Sequence, residues 1–188
     1  MTQLVRVVHQ LVPFALIGLA LGVVLVAALA LRRRAAGRGW GRAWGTAAVD
    51  VSLLLTAVAI GVLTLPPGLE HGRVVELIPF QDIVRTLRHA SASDTQVWAM
   101  VANVVMFVPV GALVPLRFPR FDGALRIVGV CAGISASIEA LQFAVGSHST
   151  ATDDVMLNTA GGVTGYFLMV GVRTVLRRQR SRKRSAVA

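Results

Sequence analysis

The chain has 188 residues, 55% of them hydrophobic and only 15% charged, with a net charge of +10 and a mean hydropathy of +0.69. That is one domain's length with more apolar sequence than a soluble globule carries, so a membrane protein is the economical reading. The basic excess does not describe a nucleic-acid binder: its clusters at 32–42, 117–126 and 173–184 each flank an apolar run instead of covering one face, which is how topology is encoded in membrane proteins.

A hydrocarbon core about 30 Å thick needs about 20 apolar residues as a helix. Five segments meet that requirement or nearly so, at about 11–31, 46–65, 97–116, 124–145 and 154–176. The fold class expected is therefore all-α, a polytopic bundle of about five transmembrane helices. The first run is longer than a signal-peptide core, and its Arg triplet follows it, so it reads as a retained helix. Placing the 32–45 loop in the cytoplasm also puts 117–123 and the C-terminus there, and all three are strongly basic. The positive-inside tendency then gives a multi-pass protein with its N-terminus outside and its C-terminus cytoplasmic.

After the second span, Pro66, Pro67 and Gly68 break the helix. Phe80, Ile83, Val84 and Leu87 then recur at helical spacing, which predicts a short amphipathic helix on the outer interface. Pro79 stands at its first position, and Asp82, Arg85 and Arg88 lie on its wetter side. A plain solvated loop is the alternative. Residues 1–65 thus form two helices with a basic loop, 66–176 a core of external loop and three spans, and 177–188 a basic tail that fixes topology or holds anionic lipid headgroups.

Each of the last three spans carries polar groups. In the third, Asn103, Phe107 and Gly111 share one face, and Pro109 predicts a kink. In the fourth, Ser135, Glu139 and Gln142 form one stripe. In the fifth, Asp154, Asn158, Gly161 and Gly165 repeat at similar spacing, with Asp153 and Asp154 at the helix N-terminus, where capping and the macrodipole favour them. Glu139 cannot be explained by capping, and Arg85, Arg88 and His148 are its nearest candidate partners. Gly161–Gly165, Gly129–Gly133 and Gly18–Gly22 are small-residue pairs that permit close helix contact, with Gly111 as a further packing position. Cys131 reads as a small apolar filler.

ELIPF at 76–80, NVVMFVPVGALVPL at 103–116 and IEALQFAVGSHSTATDDVMLNTAGGVTGY at 138–166 resemble the VanZ-like family of bacterial membrane proteins. The family takes its name from a factor giving low-level resistance to the glycopeptide teicoplanin. The resemblance implies a small multi-helical protein and carries over Asn103, Pro109, Gly111, Glu139, Gln142, Asp154, Asn158 and Gly161. One departure stands out. Family members usually place an Arg after the Glu–Gln pair and often an Asp three residues on; His148 and Ala151 stand there instead.

The expected function is a cell-envelope protein that binds an amphiphilic or lipid-linked ligand, such as teicoplanin or an envelope precursor, at an outer-facing polar cluster. That cluster comprises Asn103, Arg85, Glu139, Gln142, His148, Asp153, Asp154 and Asn158. The alternative is an intramembrane enzyme acting on a lipid-linked precursor, with paired carboxylates as acid and base. The sequence has no HExxH and no nucleophile motif, so no cofactor, no metal site and no nucleic-acid partner are expected. A channel or carrier needs polar residues through the full membrane thickness, whereas the cytoplasmic halves of these spans are almost wholly apolar.

Overall fold

The computed structural model describes residues 2–64, 75–76, 79–88, 94–145 and 150–185. These residues form an all-α bundle, with six helices and one short turn among them: α1 (Thr2–Ala35), α2 (Trp40–Thr64), α3 (Gln81–Arg88), α4 (Asp94–Arg117), a 3-10 turn (Pro119–Phe121), α5 (Ala124–Val145) and α6 (Thr152–Ser185). Among the described residues the one departure from helix and turn is a two-residue parallel pairing, β1 (Val75–Glu76) with β2 (Thr150–Ala151).

Among the described residues, five helices contain stretches long and apolar enough to cross a membrane: Leu16–Ala35, Trp40–Thr64, Gln96–Arg117, Ala124–Ala144 and Thr152–Lys183. Only between 11% and 28% of the most apolar window of each is buried within the chain. Leu19, Val24, Val62, Phe167 and Val172 are all more than half exposed. Water would not tolerate so large an apolar belt, and lipid requires it. The chain is a multi-pass membrane protein.

Charge does not stop these helices. α1 extends back to Thr2 through Pro13, well before the expected start near 11, and α6 runs on through RRQRSRKR to Ser185. Hydropathy marks where a span ends, whereas Arg is itself a good helix former. At 1.5 Å per residue, α6 is about 51 Å long, so it reaches well past a hydrocarbon core of about 30 Å. α4 likewise continues as one helix through Pro109 and Pro115.

α1 packs on α2, α2 on α4, and α6 on both α4 and α5. The α4–α6 contact is made by glycines. A Cβ at Gly161 would lie 1.9 Å from the Val104 carbonyl oxygen, one at Gly165 would lie 1.9 Å from that of Val108, and one at Gly111 would lie 1.7 Å from that of Gly162. Backbone therefore meets backbone along two turns, the arrangement small residues allow where no hydrophobic effect drives helices together. Gly129, Gly133 and Gly18 have nothing within 4 Å of such a Cβ. Those two glycine pairs therefore do not act alike: Gly22 meets Leu55, whereas its partner Gly18 meets nothing. Phe107, Val110, Val114, Ile127, Cys131 and Ile60 form the apolar core beside this seam, and Cys131 sits against Gly162.

Candidate functional site

Consecutive spans run antiparallel, so the bundle has two ends of opposite chemistry. The polar end gathers the last turn of α2, α3, the start of α4, the last turns of α5 and the start of α6.

Asp153, 3% exposed, is the hinge of that end. One of its carboxylate oxygens accepts the Phe80 N–H, and the other accepts the Ile83 N–H at 3.1 Å. Phe80 precedes α3, and its carbonyl accepts the first intrahelical bond from Val84 N–H at 2.9 Å. It is thus the N-cap residue of α3, and Ile83 is the third helical residue. In a capping box those two amides are satisfied by the helix's own side chains. Here a single carboxylate from α6 satisfies both. Phe80 holds φ at 65°, a left-handed conformation that costs a non-glycine residue on the order of 1 kcal/mol. The helix therefore starts at Gln81, and Pro79 lies in the turn before it, outside the first helical position expected for it. Among the described side chains of this segment Thr86 is buried, whereas Phe80 and Val84 are exposed, so part of its apolar stripe faces away from the bundle.

The other polar residues join helices in the same manner. Asn103 Nδ2 on α4 donates to Asp154 Oδ1 on α6 at 2.6 Å. Gln142 Nε2 on α5 donates to the Thr64 carbonyl at 2.6 Å, satisfying an acceptor that the end of α2 leaves open. Asn158 Nδ2 on α6 donates to Ser135 Oγ on α5 at 2.8 Å, and both residues are buried. Glu139 lies one turn along α5 from Ser135 and is 6% exposed. Asn158 Oδ1 is buried and has no hydrogen-bond partner among the described residues.

Asn103, Glu139, Gln142, Asp153, Asp154 and Asn158 therefore stand at one end of the bundle. His148 lies outside the described residues, and so does the side chain of Arg85, whose backbone belongs to α3. Arg88 is exposed. Ala151 pairs with Glu76 across the short parallel ladder. No group of three or more His, Cys, Asp or Glu among the described residues is placed to hold a metal ion.

The opposite, arginine end contains an arrangement that pattern reading did not assemble. Asp50 on α2 pairs with Arg33 of α1 and with Arg117 of α4, and Arg33 also donates to Thr46 Oγ1 at 2.9 Å. Asp122 accepts from Arg173 at 2.8 Å, tying the turn after α4 to α6. A signal was present: Asp50 is the only acid in the first 69 residues, and it stands in an apolar run close to five arginines. Nothing in the sequence says which of those arginines it meets.

A family model described as VanZ/LLP1 matches residues 51–176, the stretch from the middle of α2 into the apolar stretch of α6. No curated protein and no solved structure matches the chain.

Proposed function

The chain belongs to the VanZ/LLP1 family, and from that premise we propose a bacterial cell-envelope protein whose polar end binds a lipid-linked or amphiphilic ligand, such as teicoplanin or an envelope precursor. The arginine end faces the cytoplasm by the positive-inside tendency, which turns the polar end outward.

The observation that carries this reading is the orphaned Asn158 Oδ1. A buried acceptor without a donor costs about 1–3 kcal/mol, and it lies in a neighbourhood already committed to polar contacts: Ser135 beside it, Glu139 one turn away, and the Asn103–Asp154 bond one turn along α6. A ligand hydroxyl, amide or ammonium supplies the missing donor. The acyl chain of an amphiphile lies in the surrounding leaflet beside the exposed Phe80, which precedes α3, and Val84 of α3. Buried polar groups that lose water on folding are a usual way to specify one orientation of a mostly apolar ligand.

The test uses the full chain in lipid nanodiscs with fluorescent teicoplanin and, separately, an undecaprenyl-linked precursor. Asn158→Leu removes the acceptor at similar volume, and Glu139→Gln removes the carboxyl group. Saturable binding that weakens at least about fivefold in both variants, on the order of 1 kcal/mol for a lost hydrogen bond, supports the reading. Equal binding by both variants and the wild type refutes it. Consumption of the precursor by the wild type, lost in Glu139→Gln, would assign the intramembrane enzyme instead.

A further inference from the structure

We propose that the turn between α4 and α5 is a binding site for the phosphate of anionic phospholipid headgroups, held by Arg120 and Arg126. The apolar stretches of α4 and α5 end at Arg117 and begin at Ala124, so the turn stands where both helices leave the hydrocarbon core. That depth is where lipid phosphates lie.

The two arginines are presented and unspent. The Arg120 guanidinium carbon lies 4.8 Å from the Phe121 ring centre and 5.8 Å from that of Phe118, and the two rings meet edge to face at 6.5 Å. Ring stacking of this kind fixes the plane of a guanidinium and leaves its N–H edge open. Arg126 donates to the Arg120 carbonyl at 2.9 Å, which folds it back over the same turn. The acids of this end are Asp50 and Asp122, and both are engaged, the first with Arg33 and Arg117 and the second with Arg173. Among the described residues, neither Arg120 nor Arg126 has a carboxylate partner. A planar guanidinium with a free edge, already positioned, suits the bidentate geometry of a phosphate.

The apolar surroundings separate a phospholipid from other phosphates. Leu125, between the turn and Arg126, is 86% exposed, the most exposed large hydrophobic side chain among the described residues, and Phe118 is 40% exposed. Nucleic acid or free phosphate gives these groups nothing to touch. The glycerol and upper acyl segments of a lipid cover them while its phosphate meets Arg120 and Arg126. The basic residues of α6 from Arg177 onward lie farther along a helix that has left the core, so they attract anionic surfaces at longer range without forming this site.

The full chain is reconstituted in vesicles of phosphatidylethanolamine and phosphatidylglycerol, extracted with its neighbouring lipids into polymer-bounded discs, and the retained lipids are counted by mass spectrometry. Phosphatidylglycerol should be enriched around the wild type. Enrichment should fall at least about threefold in R120Q/R126Q, given the attraction of each basic residue near a surface, and persist in R180Q/R182Q/K183Q. Millimolar glycerol phosphate should leave it unchanged. Should R120Q/R126Q fail to fold, F118L keeps every charge and should lower the enrichment through lost ring stacking. Unchanged enrichment in R120Q/R126Q, its loss in the tail variant alone, or competition by glycerol phosphate would overturn the proposal.

Discussion

Gly161→Ala tests whether the α4–α6 seam is what holds the polar end together. The added methyl would stand 1.9 Å from the Val104 carbonyl oxygen. Carbon–oxygen contacts between helices settle at about 3.3 Å or more, so the helices must part locally by about 1.4 Å. Neither partner can swing aside, because both are helix backbone. The displacement falls beside Asn103 on α4 and about two turns of α6 from Asp154, and would stretch their bond of 2.6 Å toward about 4 Å, beyond hydrogen-bonding range. Overpacking costs about 1–3 kcal/mol, and an interhelical hydrogen bond in a membrane protein contributes about 0.6 kcal/mol. The expected loss is therefore about 2–3 kcal/mol. Gly129→Ala is the control: its Cβ meets nothing within 4 Å, and Ala exceeds Gly in helix propensity by up to about 1 kcal/mol, so that variant should match or exceed the wild type. Reversible unfolding of the full chain in mixed micelles, followed by circular dichroism against the mole fraction of denaturing detergent, measures both. A Gly161→Ala protein within about 0.5 kcal/mol of the wild type, a margin small against the overpacking range, would refute the reasoning.

Three further outcomes are expected. Asp153→Ala removes both cap contacts of α3 and should cost about 1–2 kcal/mol; amide exchange at Phe80, Ile83 and Val84 should accelerate, and unchanged protection there would count against the cap. A double-mutant cycle between Asn103→Ala and Asp154→Ala should give a coupling of about 0.6 kcal/mol, up to about 1.7 kcal/mol, and additive effects would show that the pair does not interact. Asp50→Asn leaves Arg33 and Arg117 without their shared anion; because the cluster is partly exposed, the loss should be near 1 kcal/mol and shrink as salt rises, whereas a salt-independent loss would point to packing instead.

Hydropathy made the five spans legible, because every apolar window here is long and has arginine at or near one end. It located the helix ends poorly where helix and span part company, as in α6, whose basic tail stays helical beyond residue 176. The stripe of Ser135, Glu139 and Gln142, and that of Asp154 and Asn158, could be read from spacing alone because the residues of one helix face follow from its 3.6-residue period. What they bind could not. Gln142 meets the Thr64 carbonyl and Asp153 the amides of Phe80 and Ile83, and a backbone group leaves no mark in a sequence. Asp153 looked sufficient as a cap for its own helix; its carboxylate reaches another helix entirely. The same limit hides the pairing of Val75–Glu76 with Thr150–Ala151, which is two residues long and lacks any strand pattern.

The contacts of Asp153 span 73 and 70 positions of sequence, and that of Gln142 spans 78. During synthesis, α2 and α3 leave the ribosome long before the residues that finish them. The Thr64 carbonyl waits for α5, and the amides of Phe80 and Ile83 wait for α6. Until then those groups must be served by water at the membrane surface or by the insertion machinery. A chain cut short before residue 153 would retain α1 to α5 but lack both the α3 cap and the glycine face that α4 packs against. The polar end is thus assembled only once α6 has been made.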